Sequence, residues 1–206
     1  MFTGIITDIG TIDSIETRGD MRVVVRTAYD TGSVDLGASI ACSGVCLTVV
    51  DKSPAGGPGW FAVDVSGETL SCTAQGQWRE GRRLNLERAM KLGDEMGGHI
   101  VTGHVDGVAE VVAVAAEGDS KRIDIAVPAD IAPYVAGKGS ITIDGVSLTV
   151  NGVADEGARS RFWINVIPHT QGATTLGGLE PGMAVNIEID VLARYLKRME
   201  AYHGAA

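Results

Sequence analysis

Three cysteines, Cys42, Cys46 and Cys72, and the histidines His99, His104 and His169 supply most of the side chains in this 206-residue chain that can attack an electrophile or move a proton near neutral pH. Cys42, Cys46, His99 and His104 could be read together as a metal site. The compact Cys or His pairs that turn a chain around zinc are missing, so no metal is expected. Taken alone, Cys46 between Val45 and Leu47 reads as a buried strand thiol, and His104 after Thr102-Gly103 as a hydrogen-bonded structural histidine. Gly56-Gly57-Pro58-Gly59 lacks the lysine and following helix of a phosphate loop and reads as a hairpin turn.

The elements that must position these groups come in two copies. Ser43-Gly44-Val45-Cys46-Leu47-Thr48-Val49 reappears as Asp144-Gly145-Val146-Ser147-Leu148-Thr149-Val150. At the same spacing Phe61 to Val65 matches Phe162 to Val166, and Gly81 to Glu87 matches Gly182 to Glu188. Thr3-Gly4 matches Thr102-Gly103, with a two-residue gap between the halves. A period this long is duplication of a whole domain rather than a solenoid repeat, with the join near Gly97-Gly98. The expected domains are 1–97 and 98–190, followed by 191–206.

With 28 glycines and only 5% aromatic residues, each half reads as about six short antiparallel strands. That is too many for an open sheet without exposed edges, so a small closed barrel is expected in each. Ser43-Gly44 and Asp144-Gly145 suit two-residue hairpin turns. From Val191 to His203, Leu192, Tyr195, Met199 and Tyr202 recur at helical spacing, and Asp190 stands where a capping residue would. A helix of about 13 residues is marginal alone in water, so its stripe must dock on a barrel or on another subunit. The net charge of -9 excludes an electrostatic grip on nucleic acid or an anionic membrane. An odd cysteine count, with no basic-then-apolar leader and no apolar run of about 18 residues, points to free thiols in a cytoplasmic protein.

Several blocks together are similar to the riboflavin synthase alpha-chain family of lumazine-binding proteins. They are Met1-Phe2-Thr3-Gly4-Ile5-Ile6, Gly44 to Thr48, Gly93-Asp94-Glu95-Met96-Gly97-Gly98-His99, Thr102 to Gly107, Asp144 to Thr149, Ile167-Pro168-His169-Thr170 and Val185 to Asp190. The resemblance implies a mainly β chain of two six-stranded antiparallel Greek-key barrels with a C-terminal α-helix, assembled as a homotrimer. It implies active sites between the N-terminal barrel of one subunit and the C-terminal barrel of its neighbour. There two molecules of 6,7-dimethyl-8-ribityllumazine exchange four carbons, giving riboflavin and a ribitylamino-uracil without metal or organic cofactor.

The resemblance also reassigns the candidate residues. His104, Cys46, Ser39, Ser147 and Asp190 become catalytic candidates, Asp190 remaining equally well explained as a helix cap. Gly4, Ile5, Ile6, Leu47, Thr48, Asp64, Glu68 and Thr69, with Gly103 and Val105, become substrate contacts. So do Lys138, Leu148 and Thr149, with Ile167, Pro168, His169 and Thr170; His99 is assigned to structure. Donor and acceptor have different fates, and the repeat differs where it should: Cys46 faces Ser147, Ile5 faces His104, and Glu68 faces His169. Two rival readings keep the ring contacts without turnover, a non-enzymatic lumazine carrier of the same duplicated fold and a flavin-binding regulatory module. Ser39, Cys46, His104 and Ser147 together favour the enzyme.

Overall fold

The computed structural model describes residues 1–203 apart from 58, 75, 157 and 158. In the first half the strands are β1 (Asp8–Arg18), β2 (Asp20–Arg26), β3 (Ser39–Cys42), β4 (Val45–Lys52), β5 (Trp60–Val65) and β6 (Arg83–Arg88). They close into a barrel in the order β1-β2-β5-β4-β3-β6. Alternation does the sorting. Val23, Val25, Val63, Val65, Leu84 and Leu86 face inward at no more than 0% exposure, while Arg22, Arg26 and Asp64 between them face out. A short helix, α1 (Gly67–Cys72), follows β5, its first turn capped by Ser66 Oγ accepting from the Thr69 amide.

The second half repeats this plan with β7 (Gly107–Glu117), β8 (Ser120–Val127), β9 (Ser140–Ile143), β10 (Val146–Thr149), β11 (Gly152–Glu156), β12 (Arg159–Val166), α2 (Pro168–Ala173) and β13 (Ala184–Ile189). Its seven strands run β10-β9-β13-β7-β8-β12-β11, so the two end strands are consecutive pieces of chain separated by Val150 and Asn151. They correspond to the single β4 of the first half, where the register shifts between Val49 and Asp51. The expected fourth strand is thus divided at the point where its copy merely bulges, so the expected closed barrel is found as a closed ring of paired strands only in the first half, and the second is a sheet with its ends at the break. Hydrogen bonds from Val150 N to Gly139 O and from Asn151 N to Trp163 O carry the ladder across the break. Both predicted hairpin turns are present, with Ser43 and Gly44 at φ 47° and 83° and Asp144 and Gly145 at φ 45° and 81°. Two consecutive left-handed residues define the tight turn whose twist matches that of the strands.

Those turns meet back to back. A Cβ on Gly44 would come within 2.9 Å of the Gly145 amide, so both positions require glycine. Around them two buried asparagines cross between the halves. Asn85 Nδ2 donates to Asp144 O and Asn186 Nδ2 to Ser43 O, each at 2.9 Å. Their Oδ1 atoms accept from the Thr175 and Ala74 amides at 2.7 Å. The C-terminal helix α3 spans Val191–His203, as its spacing predicts. Ala193 packs on the second core, while Leu192, Tyr195, Leu196, Met199 and Tyr202 are left 56–70% exposed. No helix among the described residues is long and apolar enough to cross a membrane.

Asp144 is enclosed at this junction, its Oδ1 accepting from the Asn186 amide at 2.8 Å. Burial pushes its carboxyl up to about 6, against the opposing pull of that hydrogen bond and of the Arg82 charge. The folded protein therefore holds this proton more tightly than the unfolded chain does. The group's contribution is fully present below the ordinary carboxylate value of 3.8 and is lost as pH rises through about 6. Asp144→Asn keeps the acceptor and removes the charge, so its melting temperature should exceed the parent's above pH 6.5 and converge with it near pH 4. A constant difference across that range would contradict the assignment. Asn186→Ala, which strands a buried carbonyl and a buried amide, should cost about 2–4 kcal/mol in urea unfolding.

Candidate active site

The ends of the two halves cross over. Phe2 and Val101 pair in an antiparallel bridge, with Phe2 N donating to Val101 O at 2.8 Å and Val101 N to Phe2 O at 3.1 Å. Phe2, Val101 and Ala41 form a small separate core with Cys46 and Ala89 against it. From this bridge the arm 2–6 runs to the second half and the arm 101–105 to the first.

Each arm is held by a glutamate of its own half. Glu87 Oε1 accepts from Thr3 N and Oγ1 at 2.7 and 2.8 Å, and Oε2 from Gly4 N at 2.9 Å. Glu188 repeats the pattern, Oε1 accepting from Thr102 N and Oγ1 at 2.7 and 2.6 Å and Oε2 from Gly103 N at 2.9 Å. Burial raises the Glu87 carboxyl above the ordinary value, and the hydrogen bonds from Thr3, Gly4 and Ile5 oppose this. Sequence inspection missed both glutamates as anchors; their matched places in the duplicated blocks ending β6 and β13 were the available signal.

Across the divide each arm lies on the site strand of the other half. Ser147 N donates to Gly4 O at 2.8 Å and Cys46 N to Gly103 O at 2.9 Å. Both glycines have φ near 77–78°, and a Cβ on either would meet the facing Cβ of Ser147 or Cys46 at 2.6 Å. Ile6 then packs against the second core and Val105 against the first.

At the Cys46 end the arm closes a cleft of 280 Å³ lined by Cys46, Glu68, Thr69, Gly103, His104 and Val105, all of them sequence candidates, together with Val45, Cys72 and Thr73. Cys46 is half-buried and His104 exposed. Ser39 and Thr48 are cross-strand partners of β3 and β4 and share the outward face with Cys46. Leu47 turns inward as a core residue, leaving its backbone on the site side. Asp64 is exposed on β5, 3.9 Å from Arg22. Cys72, whose Sγ lies 3.5 Å from Glu68 Oε1, is the lining thiol that sequence reading left unassigned.

At the Ser147 end the chemistry differs. His99 Nδ1 lies 2.7 Å from Ser147 Oγ, and its Nε2 lies 3.2 Å from Thr142 Oγ1. Burial lowers the His99 pKa from its usual value, and the Asp190 charge opposes this. A neutral ring can accept from one hydroxyl and donate to the other. His99, read from sequence as structural, thus touches a catalytic candidate directly. Gly98 has no room for a Cβ, which would lie 2.8 Å from Ser147 Cβ. Leu148 is half-buried against the second core and Thr149 exposed.

Lys138 has φ 68°, where the first half uses Gly37 at φ 85°. A non-glycine residue in this conformation is strained, and strain of this kind concentrates at functional positions. Ile167, Pro168 and His169 are exposed at the start of α2 and Thr170 is half-buried, as Glu68 is exposed and Thr69 half-buried on α1. Asp190 Oδ1 accepts from Leu192 N at 3.0 Å, so it caps α3. Arg194 of the same helix donates to Asp106 Oδ2 at 2.8 Å and to His104 O at 3.3 Å, tying α3 to the arm that carries His104. Among the described residues no cluster of three or more His, Cys, Asp or Glu could hold a metal ion.

Glu188→Gln sets an amide nitrogen among donors that now share a charged acceptor, each such bond contributing about 1.5–3 kcal/mol. In a Cys72→Ser background this variant should label at Cys46 with a thiol reagent at least about tenfold faster, because its arm is loosened. Glu87→Gln, which frees the other arm, should leave that rate unchanged. Equal effects of the two changes would refute the crossover.

A family model, the lumazine binding domain, matches residues 3–89 and 102–190. A riboflavin synthase of Brucella abortus (strain 2308) is 50% identical over 204 residues, covering 98% of this chain and 99% of the relative. One of Mycobacterium tuberculosis (strain ATCC 25618 / H37Rv) is 46% identical over 202 residues, covering 97% and 98%. Among solved structures, LumP complexed with 6,7-dimethyl-8-(1'-D-ribityl) lumazine has a TM-score of 0.77 at 28% identity, covering 92% of this chain and 99% of that one. LumP complexed with riboflavin has a TM-score of 0.80 at the same identity and coverage.

Proposed function

The chain belongs to the riboflavin synthase family of lumazine-binding proteins, and from that premise we propose how its two halves carry out the reaction. It is an enzyme that converts two molecules of 6,7-dimethyl-8-ribityllumazine into one riboflavin and one 5-amino-6-(ribitylamino)uracil, the last step of riboflavin formation. The observation that carries the mechanism is the reciprocal crossing of the arms. It supports reading one chain as offering two related sites, one walled by Cys46 and His104 and the other by Ser147 and His99.

Each site holds one lumazine. Gly4 and Ile6, Lys138, Ser147 to Thr149 and Ile167 to Thr170 surround one. Cys46 to Thr48, Asp64, Glu68, Thr69 and Gly103 to Val105 surround the other. Hydroxyls of Thr48 and Thr149 suit the pyrimidine edge of the ring, and polar groups of α1 and α2 suit the ribityl chain. His104 takes the proton from the methyl group on ring carbon 7, acting as the general base. Cys46, Ser39 or a water held between them adds to the partner ring. Holding both rings in register converts a bimolecular encounter into a nearly unimolecular one, an effect of up to about 7–11 kcal/mol.

Two rings that react must lie about 3–3.5 Å apart. From the Phe2–Val101 bridge the two arms run to opposite halves, so Gly4 and Gly103 bring the two sites of one chain to different halves rather than face to face. A chain therefore pairs its Cys46 site with the Ser147 site of another copy. The family resemblance supports reading that assembly as a homotrimer, with the apolar stripe of α3 as its contact. The protein works in the cytoplasm, with domains 1–97, 98–190 and 191–206 serving as two lumazine holders and an assembly helix.

Purified protein given the lumazine should form riboflavin, followed by absorbance, with two substrate molecules consumed for each product. His104→Gln should lower turnover about 100-fold, within the range of a lost general base. Tight binding without product would identify a carrier. Truncation after Asp190 should lower oligomeric mass in sedimentation together with activity; unchanged mass would refute the role given to α3.

A further inference from the structure

α2 and the turn that follows it face the chain entering β6 across a groove of 630 Å³. Its walls carry three guanidinium groups, Arg79, Arg82 and Arg83, in a chain whose net charge is -9. The opposing carboxylate, Glu80, is engaged by the Ile15 amide at 3.3 Å. Arg79 and Arg83 are exposed, and Arg82 is half-buried with an enclosed Nε that has no partner among the described residues. An unpaired buried donor costs about 1–3 kcal/mol unless something repays it.

The duplication supplies an internal control for whether the fold needs these arginines. In the second half the same turn is built from Glu180, Pro181, Gly182, Met183 and Ala184. Its geometry is unchanged. Gly81 N donates to Ile12 O and Gly182 N to Val111 O, each at 2.8 Å; Ile12 N donates to Arg82 O and Val111 N to Met183 O, each at 2.9 Å. The two glycines have φ 78° and 87°. The copy with Glu, Met and Ala at the arginine positions makes the turn equally well, so the positive charge is not there to form it, although Arg82 alone also acts on the buried Asp144 across the junction.

We propose that this groove is a binding site for the phosphate group of a small phosphorylated metabolite, held by Arg79, Arg82 and Arg83. Guanidinium forks match phosphate oxygens in pairs, and three of them on one short segment neutralise a dianion. The volume suits a molecule of nucleotide size, with Leu179 and Met183 offering apolar wall beyond the phosphate end. The site is independent of the Cys46 and Ser147 sites and of the catalytic reading above.

The test uses the intact protein and three probes: inorganic phosphate, adenosine monophosphate and adenosine. Calorimetric titration should show one saturable site per chain for phosphate, tighter binding for the monophosphate and none for adenosine, with a matching rise in melting temperature. The triple variant Arg79→Glu, Arg82→Met, Arg83→Ala writes the second half's own residues onto the first, so it should fold and retain basal riboflavin formation. It should bind both phosphates at least tenfold more weakly. Absence of a saturable phosphate site in the parent, equal stabilisation by chloride at matched ionic strength, or full binding in the triple variant would each overturn the proposal.

Discussion

Two buried glutamates govern this structure. Glu87 and Glu188 each gather three hydrogen-bond donors from the start of their own half, and so aim the following residues at the opposite half. Carboxylates this enclosed are costly to bury unless their acceptor capacity is filled. The arms fill it. The same constraint that satisfies the glutamates therefore delivers Gly4 to Ser147 and Gly103 to Cys46. Each of these contacts joins an arm of one half to a strand of the other, so the two halves are interlocked rather than independent copies.

The second junction, where the Ser43-Gly44 and Asp144-Gly145 turns meet, fixes how the halves face each other. Asn85 and Asn186 are equivalent residues that each reach a carbonyl of the other half and accept an amide there, so the interface is self-complementary in the manner of a twofold contact. Departures from that symmetry carry information. Asp144 stands where the first half has Ser43, Lys138 where it has Gly37, and Arg79 to Arg83 where the second half has Glu180 to Ala184. Each difference is one that the shared backbone does not require.

Much of this was legible in the residues. The 101-residue repeat pointed to two like β domains, the two-residue turns and the matched places of Cys46 and Ser147. The spacing of Leu192, Tyr195, Met199 and Tyr202 gave α3 with its bounds, and Asp190 as its cap. What sequence could not give was contact across the duplication. Nothing in the run Gly97-Gly98-His99 tells that His99 reaches Ser147 and Thr142, because both partners lie more than 40 residues away and belong to hairpin β9–β10. The division of the fourth strand of the second half had a signal that went unread, since Asn151-Gly152, a turn-forming pair, stands where the first half has Val50-Asp51 and merely bulges. Cys72 lines the first site only because α1 folds back over the strand end, a tertiary event that its neighbours Ser71 and Thr73 do not announce.

The claim that one chain offers two unlike sites to one substrate is tested most directly by counting them. Equilibrium titration of the protein with an unreactive lumazine that lacks the ring methyl groups should show two bound molecules per chain, with different affinities because Cys46 and His104 line one site and Ser147 and His99 the other. A single bound molecule per chain at saturation, or two of identical affinity unaffected separately by changes at Cys46 and Ser147, would contradict the account.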